Sequence, residues 1–146
     1  MSYILIQRLA KIKGEFEAAR TAVDYLAEHW SRIRGELSSK DLEFFEVRLV
    51  SANLEATYVI RLFSTFESAL REALPTRSPF ASDRRGAYES INRAASRWRV
   101  SVAIKDEAHL VREFRNAEVH QNIVSEQDMT FAVALAGLNR FLSWAP

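Results

Sequence analysis

Three side chains able to do chemistry lie close together in the run VREFRNAEVHQN, residues 111–122: Arg115, Asn116 and His120. Histidine titrates near neutral pH and can take or give a proton, whereas a guanidinium can stabilise negative charge on a phosphate. On a continuous helix Asn116 and His120 project to the same side, and Arg115 lies about 140° around from His120. By spacing alone, a charged helix surface with His120 favoured by the helix dipole explains these residues better than catalysis does.

A basic segment precedes this motif. The net charge of the chain is only +1, but residues 77–99 contain six arginines and two acidic residues. Arginine can bind phosphate through two parallel hydrogen bonds, so the segment could bind nucleic acid, although a solvated surface explains it about as well. The arginines predicted to make such nucleic-acid contacts are Arg84, Arg85, Arg93, Arg97 and Arg99.

The sequence gives little support for a metal site, another cofactor or a disulfide bond. The chain has no cysteine, which excludes disulfides and thiolate zinc sites. His29, His109 and His120 are scattered, and no HExxH pair or nucleophile motif occurs. We therefore expect neither a metal nor another cofactor.

The composition predicts one ordinary globular domain over residues 1–146. Apolar residues make up 48% of the chain and charged residues 27%. The first residues lack the apolar core of a signal peptide, and the longest apolar run, residues 131–138, is too short to span a bilayer. We expect a cytoplasmic protein without membrane association.

Apolar residues recur at helical spacing through the first half of the chain. Steps of four and three connect Leu5 to Leu37, and a second series connects Phe45, Leu49, Ala52, Ala56, Val59, Phe63, Phe66 and Leu70. The break near Gly35 and the capping-box spacing of Ser38 and Asp41 predict two long helices joined as an antiparallel hairpin.

The second half predicts shorter helices. Pro75 and Pro79 end the second helix, and a helix is predicted over residues 84–98. Alternating apolar residues from Trp98 to Ile104 suggest an extended connector, and helical periodicity returns over 106–118. Ser125 and Asp128 have capping-box spacing before the last helix. The prediction is an all-α, up-and-down bundle of about five helices.

Against this background, RNAEVH resembles the RNxxxH motif of HEPN domains (higher eukaryote and prokaryote nucleotide-binding). The stretch YVIRLFSTFESALREAL, residues 58–74, is similar to the second-helix signature of several bacterial HEPN families, with an acidic residue after an aromatic one. HEPN domains are bundles of four to five helices in which two long helices precede the motif, so the resemblance in topology covers nearly the whole chain.

The resemblance implies a function for the motif. Many HEPN proteins are metal-independent ribonucleases, often toxins paired with a nucleotidyltransferase-like antitoxin or components of phage defence. By this analogy Arg115 and His120 are the catalytic pair, with Asn116 as polar support, and a homodimer brings two motifs to one cleft. The apolar residues beside the motif, Val111, Phe114 and Val119, are expected to contribute to that interface.

Glu67 is the predicted supporting residue. It follows Phe66 of the core stripe, so it is expected at the edge of the packed interface, where its carboxylate could orient Arg115. An ion pair with Arg71 on the same helix is the alternative. Two other functions also stay open: a HEPN module that binds nucleotide or RNA without cutting, and a helical scaffold in which the motif is only structural.

Overall fold

The computed structural model describes residues 2–37, 43–74, 86–120 and 129–146. Every regular element within these ranges is a helix, which confirms the all-α prediction. The helices are α1 (Ser2–Glu28), α2 (Trp30–Leu37), α3 (Phe44–Ala73), α4 (Ala87–Trp98), α5 (Val102–His120) and α6 (Phe131–Leu142). None of these helices combines the length and apolar content that a membrane-spanning segment needs.

The described residues form six helices rather than the predicted five or so because the first predicted helix is interrupted at His29. The His29 ring stacks on Tyr25 with 4.2 Å between centroids, and its Nδ1 lies 2.9 Å from the Tyr25 carbonyl oxygen. The helical backbone hydrogen bonds from the His29 N–H to the Tyr25 carbonyl and from the Ile33 N–H to the His29 carbonyl are both kept, at 3.0 Å. A single turn residue, His29, separates α1 from α2.

The two long helices α1 and α3 lie side by side in opposite directions. Arg8, near the start of α1, binds Glu72 at the end of α3 through a 2.8 Å ion pair. Further along α1, the Arg20 Nη1 lies 3.6 Å from the Glu55 Oε1. The buried residues Leu5, Leu9 and Ile12 pack against α3 in the same hairpin.

Two helix starts differ from the predicted ones. In α3, which begins at Phe44, the backbone N–H of Glu43 donates to the Glu46 carboxylate at 2.9 Å. Helix α6 begins at Phe131, where the Thr130 hydroxyl accepts from the Val133 N–H. The pairs predicted to cap these helices, Ser38 with Asp41 and Ser125 with Asp128, lie outside the described residues.

The predicted extended connector is wrong. Trp98 is the last residue of α4 and Val102 the first of α5, so only residues 99–101 link the helices. Arg99 adopts a left-handed φ of 58°, and the Val100 N–H donates to the Ala95 carbonyl at 2.9 Å. This closure of the helix end reverses the chain sharply, and the apolar alternation reflects two helix ends rather than a strand.

Aromatic rings join three helices at the centre of the core. Phe66 of α3 packs edge-on against Phe141 of α6 with 5.4 Å between centroids. Trp98 of α4 meets the same Phe141 ring at 6.0 Å. Because Phe66 and Phe141 are completely buried, these contacts hold α3, α4 and α6 together on one side of the hairpin.

The apolar stripe of α3 is buried in its second half only. Val59, Phe63 and Phe66 are fully buried, whereas Phe45 is 71% exposed and Leu49 is 50% exposed. The periodicity predicted one continuous core face. The exposed part of the stripe lies before the point where α6 begins, beside Glu55.

Glu55 of α3 fixes the beginning of α6. The Phe131 N–H, the first in the helix, donates to the Glu55 carboxylate at 2.6 Å. Backbone N–H groups in a first helical turn have no partner within the helix, and a negative charge there also interacts favourably with the helix dipole.

We expect Glu55→Ala to lower the free energy of unfolding by about 1–2 kcal/mol, because it leaves a part-buried N–H without its acceptor. Urea denaturation followed by circular dichroism measures the change. The matched control is Glu17→Ala, which removes an exposed i,i+4 pair with Lys13 and is expected to cost no more than about 0.5 kcal/mol. Equal losses in the two variants would show that Glu55 does not cap α6.

Candidate functional site

The motif occupies the last two turns of α5, which ends at His120. One face of this helix is anchored in the core by Ala108, Val111, Phe114 and Ala117, all buried. The backbone of Arg115 and Asn116 is therefore set by packing that involves neither of their side chains.

Arg115 and Asn116 form a unit. The Arg115 Nη1 donates to the Asn116 Oδ1 at 2.9 Å in a part-buried setting. The Arg115 Nε is buried and has no hydrogen-bond partner within the described ranges. The guanidinium is thus held against the helix while its Nε–H has no acceptor. A bound anion could accept a hydrogen bond from this N–H only after the side chain shifts.

His120 lies at the open end of α5 and is exposed. It forms no hydrogen bond or ion pair with any described residue, and the chain leaves the described range directly after it. Asn116 precedes it by one helical turn on the same side. The Arg115 side chain therefore contacts Asn116, and Asn116 lies on the same side of α5 as His120. Arg115 and His120 do not contact each other directly.

Glu67 does not form the predicted pair with Arg115. Its carboxylate accepts from the Arg71 Nη2 at 2.6 Å, and its side chain is only 16% exposed. Neighbours at i and i+4 on one helix meet without ordering a second helix, which explains why this partner is preferred. In this structure the orientation of Arg115 comes from Asn116.

Only three of the five predicted RNA-binding arginines, Arg93, Arg97 and Arg99, lie within the described residues. Arg84 and Arg85 lie outside the described residues. Arg93 and Arg97 lie on α4. Around the axis of this helix, their side chains are rotated by about 100° and 140° from that of Asn92, the residue that contacts α5. Arg97 and Arg99 are exposed. Arg93 and Arg97 therefore leave one side of α4, which differs from the side that Asn92 turns toward α5.

A second polar cluster joins α4 to α5. The His109 Nε2 lies 3.1 Å from the Asn92 Oδ1, and the His109 ring is 4.7 Å from that of Tyr88. The Arg112 guanidinium carbon lies 5.0 Å from the Tyr88 ring centre. Sequence reasoning missed this cluster, although one signal was present: His109, Arg112, Asn116 and His120 follow one another at steps of three, four and four. Such steps place all four on one side of α5.

Burial lowers the pKa of His109 below its ordinary value of 6.5, and the positive charges of Arg112 and Lys105 lower it further. Asp106 and Glu113 act in the opposite direction. The folded chain therefore favours the neutral ring, which donates one proton to Asn92 if Nε2 carries it.

Because folding lowers the pKa of His109, the unfolded chain binds a proton more readily. We expect the free energy of unfolding to be highest above pH 6.5, the ordinary value, and to fall as the pH drops below it. Urea titrations at several pH values measure this loss, which His109→Gln should reduce. The control His29→Gln leaves His109 in place and should keep the wild-type pH dependence. An unchanged slope in His109→Gln would contradict the assignment.

Within the described ranges, no group of three or more His, Cys, Asp or Glu side chains is arranged to hold a metal ion. The site consists of a guanidinium, a carboxamide and an exposed imidazole on one helix end. Comparison of the chain with models of known protein families, with curated proteins and with solved structures gave no match.

Proposed function

We propose that the protein is a metal-independent endoribonuclease of the HEPN type. The observation that carries the proposal is the end of α5, where Arg115 is held by Asn116 one turn before the exposed His120. An imidazole and an ordered guanidinium supply the two functions that RNA cleavage needs, proton transfer and stabilisation of negative charge.

RNA supplies its own nucleophile in this reaction. The ribose 2′-oxygen attacks the adjacent phosphorus, His120 removes the 2′ proton, and the bond from phosphorus to the 5′-oxygen breaks. That oxygen takes a proton from a second acid, for which His120 of another copy is suited. The Arg115 guanidinium stabilises the charge that builds up on the phosphate. The products are a 2′,3′-cyclic phosphate and a 5′-hydroxyl.

The experiment is incubation of the purified protein with single-stranded RNA in the presence of a chelator, with DNA of the same sequence as the matched substrate. We expect the RNA to be cut and the DNA to stay intact, because DNA lacks the 2′-hydroxyl. Cleavage of both strands, or loss of RNA cleavage on adding the chelator, would contradict the proposed chemistry.

A non-catalytic module that binds nucleotide or RNA is the second candidate. It is favoured by one observation: Arg115 contacts Asn116 rather than His120, so the two proposed catalytic groups do not meet in a single chain. Retention of labelled RNA by the protein, without any cleavage over hours, would support this function in place of the first.

The proposal extends to the biological setting. It includes the five-helix, up-and-down HEPN arrangement, a cytoplasmic toxin or phage-defence role, and a nucleotidyltransferase-like antitoxin as partner. RNA is the substrate, with contacts from the arginines of residues 77–99, and a homodimer brings two motifs together. A gene for a nucleotidyltransferase beside this one would support the toxin role.

A further inference from the structure

The first half of α3 carries an apolar face that no helix of the described ranges covers. We call it the α3 seam: Phe45, Leu49, Ala52 and Ala56. These residues follow one another at steps of four, three and four, the spacing of helix pairs in coiled coils. Phe45 and Leu49 are mostly open to solvent, Ala52 is exposed and Ala56 is half-buried.

Within the described part of the chain, α6, which covers the later part of this face, begins further along α3. Phe131, the first residue of α6, lies against Glu55 and Tyr58, and Phe141 reaches Phe66. Helix α6 therefore runs in the same direction as α3 and covers it only from about Glu55 onward. Helix α1 packs on the opposite side, through the buried residues Val47 and Leu54.

The apolar residues beside the motif cannot serve as the expected dimer interface. Val111 is only 2% exposed and Phe114 only 9% exposed, because both belong to the core of their own chain. Val119 alone is open to solvent. Of these three side chains, only Val119 could therefore contribute apolar area to a dimer interface.

We propose that a second copy of this chain covers the α3 seam, with the two α3 helices antiparallel. The sizes of the side chains fix the register. When Leu49 faces the partner's Ala52, Phe45 faces the partner's Ala56, so a large side chain meets a small one in each layer. A parallel pairing would instead put Phe45 against its own copy and leave the alanines facing each other across a gap.

Charges along the seam fit the same register. In an antiparallel pair, equivalent flanks of the two helices meet, which brings Arg48 beside the partner's Glu55. Arg48 is exposed and has no ion-pair partner in the described part of the chain. Glu55 keeps part of its carboxylate accessible, with its side chain 37% exposed, while it caps α6. Two such pairs, related by the two-fold axis, favour the antiparallel arrangement over the parallel one.

The dimer would also bring the two motifs toward the middle of the assembly, where the seams pair. Helix α5 runs antiparallel to α6, since Glu107 binds Arg140 while Leu110 and Val111 line a cavity with Met129 and Val133. From Val111, α5 continues about 13 Å further to His120, past the start of α6. The motif and the seam therefore both project beyond the start of α6. The pairing of the seams itself does not depend on RNA cleavage.

Light scattering at micromolar concentration tests the dimer with Leu49→Glu and the control Ile4→Glu. Both replace an exposed aliphatic side chain, but Ile4 is near the start of α1, by the far end of α3. We expect a mass of two chains for the wild type and for Ile4→Glu, and of one chain for Leu49→Glu with an unchanged circular dichroism spectrum. A single-chain mass for the wild type, or a dimer that persists in Leu49→Glu, would overturn the proposal.

Cross-linking tests the register, and the wild-type chain has no cysteine to interfere. A Leu49→Cys chain is mixed with a larger, tagged Ala52→Cys chain and oxidised. We expect disulfides mainly between the unlike chains, because only those positions face each other. The control pairs Leu49→Cys with Ser51→Cys, which lies off the seam. Cross-links mainly between like chains, equal yields in the control, or no cross-link would overturn the antiparallel register, whatever the protein does to RNA.

Discussion

His120→Ala is expected to lower the rate of RNA cleavage by about 100- to 10,000-fold, the usual contribution of a positioned acid or base. His120 supplies the titrating group in the proposed reaction, and it is the histidine nearest to Arg115 in the sequence. Single-turnover cleavage of a labelled RNA measures the effect on the chemical step separately from binding.

Two controls make this result interpretable. His120 is exposed at the end of α5, so His120→Ala should change the free energy of unfolding by no more than about 0.5 kcal/mol. His29→Ala removes the histidine between α1 and α2, which has no part in the proposed reaction, and should leave cleavage unchanged. Equal activity in His120→Ala and the wild type would remove the catalytic role and favour the binding module.

Phe66→Ala is expected to lower the free energy of unfolding by about 3–5 kcal/mol. Phe66 is completely buried and contacts Phe63 at 5.9 Å and Phe141 at 5.4 Å between ring centroids. Its loss leaves a cavity where α3 meets α6, and small domains have only about 5–15 kcal/mol in total.

Chemical denaturation of the wild type and Phe66→Ala measures this difference. The matched control is Tyr3→Ala, an aromatic residue that is largely open to solvent at the start of α1. Its expected cost is about 0.5 kcal/mol or less. A loss in Phe66→Ala as small as that in Tyr3→Ala would mean that the core does not depend on this ring.

The helical fold could be predicted because periodicity reports the side of each helix that packs. The spacing that connects Phe45 to Leu70 correctly identified a long helix and the buried half of its core face. It could not show that Phe45 and Leu49 stay exposed, because that depends on where α6 begins. It likewise could not show the single turn residue at His29, because the apolar spacing continues from Leu26 to Trp30 across it.

The site could be predicted only in part. Spacing correctly placed Arg115, Asn116 and His120 on one helix, but the partner of each side chain depends on competition between neighbours. Arg115 binds Asn116, and Glu67 binds Arg71, because these local partners need no second helix to be ordered. The contact of His109 with Asn92 requires knowledge of how α4 meets α5, which the periodicity of either helix does not contain.

The measurement that tests the central claim most directly is the identity of the ends left on cleaved RNA. Wild-type protein is incubated with a short single-stranded RNA and a chelator, and the fragments are analysed by mass spectrometry. The proposed chemistry predicts a 2′,3′-cyclic phosphate on one fragment and a 5′-hydroxyl on the other, with neither formed by His120→Ala. Fragments that carry a 5′-phosphate and a 3′-hydroxyl, or RNA that stays intact with the wild type, would contradict it.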